Sequence, residues 1–477
     1  MPAPATKQSL TKKRRIGLWA VRATAAPTMS SLSHVNLRVR SRQHGQALIY
    51  GLFMLSCGLV ALFFVFNTGQ LTLEKTRLVN TADAVAYSAG VLHARALNFD
   101  AYTNRALMAN EVTVAQAVSL ASWIEYAKGH TKGVKPLLCY QMYSVPVVLS
   151  LLEYSPLCYA LSYPPGAMAV EYADEAIQPV AEATVRVTEA ARLNLQLAQD
   201  LMFASLPLAR ASLMKEVADA NYLNAGPVKV DTLPLTDEWL LFEGAPFLKR
   251  HSGDERARFR EAAIGAANRD AFIAARQWDS DSPWACLLMP RGNANRTGGT
   301  SLQDYDDWRA QDRANLRTES WHIGLFSAGC KTDTNYQLGS GSQSAADWGY
   351  SGIRDFHELS AKALAYGPGN ADAAKRDLRM RFAIRLTRAA AVQRTSSGAA
   401  SVKPAGAMAI YDGAQVGATM AAVGTAEVYF ERPLRAPRAD GRTELASAFN
   451  PYWQVRLGAN SAADLAKAIA LQTGSGQ

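Results

Sequence analysis

The chain has 477 residues, 49% of them hydrophobic, with 50 Lys and Arg against 41 Asp and Glu, a formal net charge of +9. That apolar content supports a packed core and excludes a globally disordered chain. The excess charge is confined to one end. Residues 1–46 hold nine basic residues (Lys7, Lys12, Lys13, Arg14, Arg15, Arg22, Arg38, Arg40 and Arg42) and no acidic one, which leaves 41 of each sign downstream. A neutral downstream protein gives no electrostatic footprint for nucleic acid.

The first ordered element predicted is a membrane span. Gly45 to Phe66 reads GQALIYGLFMLSCGLVALFFVF, and Ala47 to Phe66 carries no charge. A run of about 20 apolar residues crosses a bilayer core as a helix. A cleaved secretory signal fits less well, because such cores run about 7–15 residues and end at a small-residue site, whereas this run ends in Phe64, Val65, Phe66 and Asn67. The basic tail before the span predicts a cytoplasmic N-terminus by the positive-inside rule, with the remainder on the far side. Met29 is a second candidate start, and it leaves Arg38, Arg40 and Arg42 in place.

A long helix follows. Leu78, Ala82, Val85, Ala89, Leu92, Ala96 and Phe99 recur at 4,3 spacing, the pattern of a helix-packing stripe. No Pro or Gly interrupts Gln70 to Ala89, so the span is expected to run nearly straight into it, with Gly90 a weak point. The stripe is expected to pack on the protein's own next helix, Asn104 to Lys128, or on a partner helix in a coiled coil.

Val134 to Val170 is apolar but broken by five prolines, and reads as buried helices or a membrane-surface patch. From Glu171 a helix is predicted with Ile177, Val180, Val187, Ala191, Ala198 and Leu201 on one apolar face, interrupted by Thr184 and Asn194. Pro179 marks a first turn and Pro207 a bend or end near Ser205. Ala225 to Phe247 reads as a connector and Gly253 to Trp278 as a further helix. Arg291–Ser301 and Gly339–Ser344, rich in Gly, Asn, Ser and Thr, read as loops. Leu378 to Leu386 alternates apolar residues with arginines, and Ala426 to Phe430 alternates them with Glu427, Tyr429 and Glu431. These are two strands whose antiparallel pairing sets Arg opposite Glu. Asn450-Pro451-Tyr452-Trp453 reads as a packing corner.

Five cysteines are present, and Cys57 lies inside the span. Cys139, Cys158, Cys286 and Cys330 allow three pairings, of which the local one, Cys139–Cys158 and Cys286–Cys330, is preferred in an oxidising compartment. None sits at C-x-x-C spacing, so zinc and redox motifs are not supported. No metalloprotease, nucleophile-elbow, P-loop or dinucleotide motif occurs. His357-Glu358 lacks a second His, and Asp279-Ser280-Asp281-Ser282 lacks the spacing of a metal site. Ser88 reads as structural and His93 as a surface residue. No catalytic residue, cofactor, metal or small-molecule substrate is predicted.

The order of these features resembles a known family. A basic run, Arg42-Gln43-His44-Gly45-Gln46-Ala47, an apolar helix and then Leu78, Asn80, Ala82, Asp83, Ala84 and Ala86 is similar to the N-terminal segment of the TadE/TadG-like proteins of Tad (Flp-type) pilus assembly. The likeness covers roughly residues 40–95. AEVYFERP and LASAFNPYWQVRL near the C-terminus are similar to the ends of large TadG-related proteins. The resemblance implies an inner-membrane scaffolding component of pilus assembly, with other Tad proteins or a second copy through the stalk helix as partners. It also implies a possible processing site after Gly45, before Gln46. Pilin-like subunits carry Glu five residues further on, where this chain has Tyr50. The alternatives are a processed minor pseudopilin, or an anchored enzyme or binding module unrelated to pili. The expected fold is α+β: a basic tail (1–44), span (45–67), helical stalk (68–130), helical region (131–278) and mixed domain with an antiparallel sheet (279–477).

Overall fold

The structure is a computed structural model that describes residues 46–133, 160, 163–281, 286–287, 291–395, 419–432 and 444–472. The chain divides into two compact units, Met1–Phe63 and Phe64–Gln477. In the first, the described part is helical and every side chain from Ala47 to Leu62 is exposed. An all-round apolar helix with no face buried by protein is suited to lipid. Among the described residues it is the one helix long and apolar enough to cross a membrane.

This segment belongs to helix α1 (Gln46–Gly133), 88 residues long. Within Phe64–Gln477, α1 is the central strut. Asn104 to Lys128 is therefore a continuation of the same helix, not a neighbour folded back on it, and the expected helix–helix partner of the stripe does not exist. The partner is a sheet. Leu78, Ala82, Val85 and Ala89 are fully buried against Phe382, Ile384, Leu386, Ala422 and Ala426. A strict 3.5-residue repeat drifts about 20° per heptad on a straight helix. Phe99, three heptads after Leu78, has accordingly rotated off the buried face and is 37% exposed, while Leu97, Ala101 and Asn104 have rotated on.

Helix α2 (Pro164–Asn221) lies antiparallel to α1, with Asp174 beside Lys128 at one end and Asn221 beside Arg77 at the other. It runs unbroken through Pro179 and Pro207, so neither proline marks a boundary. Pro179 is exposed, which leaves the carbonyl it cannot satisfy open to water. The buried face is also not the predicted one. Val180, Val187 and Leu201 are exposed; Ala181, Val185, Arg192, Gln199, Leu206 and Arg210 are buried.

Short edge strands β1 (Lys229–Val230) and β2 (Thr236–Asp237) occupy the expected connector, followed by β3 (Leu248–His251). The helix predicted to Trp278 ends early, as α3 (Ala257–Ala267). Next come β4 (Trp278–Asp281), β5 (Arg291–Gln303), β6 (Asp307–Ile323) and β7 (Ala328–Ser344), a four-stranded antiparallel meander. Arg291–Ser301 and Gly339–Ser344 are thus strands and not loops. Their glycines serve close packing: a side-chain carbon at Gly339 would lie 2.7 Å from the Tyr126 carbonyl oxygen of α1, and one at Gly341 would overlap that of Ser122. Cys286 and Cys330 are joined by a disulfide, Cα–Cα 5.9 Å, that ties β7 to the segment before β5.

The chain closes with β8 (Phe356–Leu359), paired to β3, then β9 (Arg379–Ala389), β10 (Thr419–Phe430), β11 (Trp453–Leu457) and helix α4 (Ala462–Gln472). β9 and β10 are the two predicted strands. They pair antiparallel with Arg381 opposite Glu427, and Glu427 accepts from Arg379 (3.0 Å) and Arg456 (2.9 Å). The fold is α+β, with antiparallel sheets packed along a single long helix. The predicted corner also packs, because Trp453 is buried against Phe430 and Phe247.

The sheet rests on helix backbone. A side-chain carbon at Gly424 of β10 would fall inside the Ala82 carbonyl of α1. Gly424→Val should therefore push sheet and helix apart and destabilise the unit by about 1–3 kcal/mol or more. Gly265→Ala in α3, where a side chain meets nothing within 4 Å, should be stabilising by about 0.5–1 kcal/mol. Thermal unfolding of the full chain in detergent reads both, and equal midpoints for the two variants would refute the close-approach argument.

Candidate functional site

The interface between α1 and α2 is a polar seam in which most groups find a partner. Glu111 and Arg192 are both fully buried and lie 2.6 Å apart. Glu111 also accepts from the Trp308 indole (2.9 Å) and the Tyr350 hydroxyl (2.7 Å), and Arg192 donates to Glu189 and the Gly352 carbonyl. Burial holds the Glu111 carboxyl above its ordinary range despite Arg192 beside it. One level along, Gln199 donates to Thr103 and Asn104, and Asn104 donates to the carbonyls of His357 and Ala448. At the next level Arg210 bridges His93 (3.0 Å) and Asp237. His93 is not the surface residue expected. It is buried, stacked on Trp239, and held neutral by desolvation and Arg210, its pKa pushed down to about 3. Nearer the apolar run, Glu74 pairs with the buried Arg388, which lies over the Tyr222 ring.

One position stands out. Both carboxyl oxygens of Asp100 are buried and have no hydrogen-bond partner among the described residues. Burial first, then the nearby Glu358 and Asp200 carboxylates, raise its pKa well above the usual range. Glu358 is raised too, chiefly by burial, though its Oε1 accepts from the Leu359 and Ala448 amides and Arg258 stands 3.3 Å from Oε2. His357 is lowered to about 4 by burial. Asp100 and Glu358 are thus buried acids sealed from solvent, a packing element and not a pair open to substrate. No group of three or more His, Cys, Asp or Glu is arranged to hold a metal ion among the described residues. Asp279 of β4 accepts from Asn293.

The other residues singled out from sequence lie apart. Gly45, Cys139 and Cys158 are outside the described residues. Gln46 opens α1, and Tyr50 and Cys57 are exposed on its apolar part. The stripe Leu78 to Ala96 is covered by the protein's own sheet, so it is no free surface for a second copy. Exposed apolar surface sits elsewhere. The turn between β6 and β7 carries Leu325 (96% exposed) and Phe326 (100%), and the outer face of α2 carries the aliphatic residues first assigned to the core. The turn was legible as GLFS between apolar residues; the buried arginines of α2 carried no such signal.

Asp100 generates a pH prediction. A carboxyl protonated in the fold but ionised in the unfolded chain loses stability as pH rises above about 4, by about 1.4 kcal/mol per unit until its folded pKa is reached. Asp100→Asn removes that dependence. The variant should therefore gain on the wild type between pH 5 and pH 7 in thermal unfolding; parallel pH curves would mean that Asp100 is ionised in the fold.

Residues 45–96 match the family model Tad, described as "Putative Flp pilus-assembly TadE/G-like". No curated protein and no solved structure matches the chain. The matched stretch is the apolar run and the stripe from Leu78 to Ala96. Over residues 45–96 the chain is thus similar to the TadE/G-like proteins of Flp pilus assembly.

Proposed function

We propose that the protein is a membrane-anchored structural component of Flp/Tad-type pilus assembly. Ala47–Phe66 holds it in the inner membrane, the basic residues before Gln46 stay in the cytoplasm, and the residues after Phe66 stand in the periplasm. The observation that carries this reading is α1 itself. The helix that supplies the apolar run also supplies the buried centre of the outer unit. The basic tail supports the orientation, and the Cys286–Cys330 disulfide supports an oxidising compartment. The sealed acids and the absence of catalytic motifs favour a scaffold over an enzyme.

Two measurements test it. Mass spectrometry of the mature N-terminus from inner membranes should find the basic tail retained; a start at Gln46 would replace the permanent anchor with a processed pseudopilin. Thr72 is exposed on α1 between the apolar run and the sheet. Thr72→Pro removes one backbone bond and kinks the helix, at about 3 kcal/mol. It should leave the outer unit folded and in the membrane but lower surface piliation in the producing cell. Full piliation with this variant would show that stiffness of α1 is dispensable.

A further inference from the structure

The buried face of helix α2 mixes apolar residues with Arg192, Gln199 and Arg210, each with partners on the rest of the unit. Its solvent face carries an apolar row as well. Val180, Val187, Asn194, Leu201 and Leu208 follow one another at exact seven-residue spacing, and all are exposed. Three residues after each come Ala183, Ala190, Leu197, Ala204 and Ala211, also all exposed. The Val and Leu members of the two rows are between 54% and 78% exposed. A 3,4 repeat over five heptads, about 46 Å of helix, is the seam of a coiled coil.

We infer that this seam pairs with α2 of a second copy of the same chain. Three observations select that occupant. First, the seam holds a single polar member, Asn194, at a first-row position. A lone Asn there is satisfied when it meets another Asn, and it sets register in a parallel pair. Second, two chains anchored in one bilayer stand on the same side of it, and a parallel pairing of their α2 helices brings Asn194 to Asn194. This step rests on the membrane-anchor part of the proposed function and not on the pilus role. Third, the flanks permit self-pairing. In a parallel pair the residue before each first-row position faces the residue after a second-row position of the partner. The latter are Thr184, Ala191, Ala198, Ser205 and Ser212, all uncharged. Arg186 and Asp200, the charged residues among the former, are paired within their own chain with Glu182 (2.6 Å) and Arg250 (3.1 Å). No like charges are brought together. Small Ala residues in the second row let the backbones approach closely, and shared anchorage raises the effective concentration of the two seams.

Oxidative cross-linking of the full-length chain in inner-membrane vesicles tests this. In a Cys57→Ser background, Asn194→Cys and Leu201→Cys should each give a covalent dimer at twice the chain mass that the background chain does not give. Phe326→Cys, on the equally exposed β6–β7 turn, should not. Adding Leu201→Glu to Asn194→Cys places a charge in the seam and should cut the dimer yield about tenfold or more. Leu201 is exposed within one chain, so the fold survives the change. No dimer at 194 and 201, an adduct of another mass, or a yield indifferent to Leu201→Glu would each overturn the pairing. An adduct of another mass would assign the seam to a different protein, and an intramolecular adduct would assign it to another segment of this chain.

Discussion

The structure depends on one constraint: a single helix serves two solvents. Up to Phe66 α1 is apolar all round, and beyond Leu78 it carries residues fully buried among sheets and α2. A helix surrounded by protein on several sides must bring partners close without steric conflict. Here that is met by Ala and Gly on both surfaces. Ala82 faces Gly424 of β10, Gly90 of α1 faces Val455 and Ala426, and Ser122 and Tyr126 face Gly341 and Gly339 of β7. Interiors pack at crystal density, so a contact between backbones leaves room for no side chain.

A second consequence is electrostatic. Because α1 is flanked by sheets, α2 covers a face of α1 that carries Asn104, Glu111 and His93, and it meets them with Gln199, Arg192 and Arg210. Such pairs are weak evidence for stability, since desolvation offsets much of the attraction. They are strong constraints on register, because sliding α2 by one turn would strand several buried charges at once. The polar seam therefore sets how the two long helices align, and that alignment in turn sends the aliphatic face of α2 outward. The outward seam is a result of the inward pairing.

Phe64–Gln477 carries two exposed apolar features, the outer face of α2 and the Leu325–Phe326 turn, on a unit in which many charged groups are held in ion pairs. The TadE/G-like match covers the anchor and its entry into the core, which is where the physical requirements are narrowest: a span-length apolar run followed by small residues at helical spacing.

Several features were legible in the amino-acid sequence alone, because each follows from local chemistry. The span follows from twenty uncharged residues, the first part of the buried stripe from Leu78 to Ala96, and the β9–β10 pair from strict alternation of Arg and Glu with aliphatic residues. Other features were decided by tertiary structure. Nothing in the spacing of Leu78 to Phe99 says that the partner is a sheet, since a sheet and a helix both accept a small-residue stripe. Gly- and Ser-rich β7 reads as a loop because the helix backbone that requires its glycines lies more than 150 residues earlier, and glycines of β5 meet Asp312 of β6 and the backbone of Ala275. The buried face of α2 was misread for the same reason. Arg192 and Gln199 go inside only because Glu111 and Asn104, far away in sequence, are there to meet them, and a hydrophobic period measured along one helix carries no information about a charge on another.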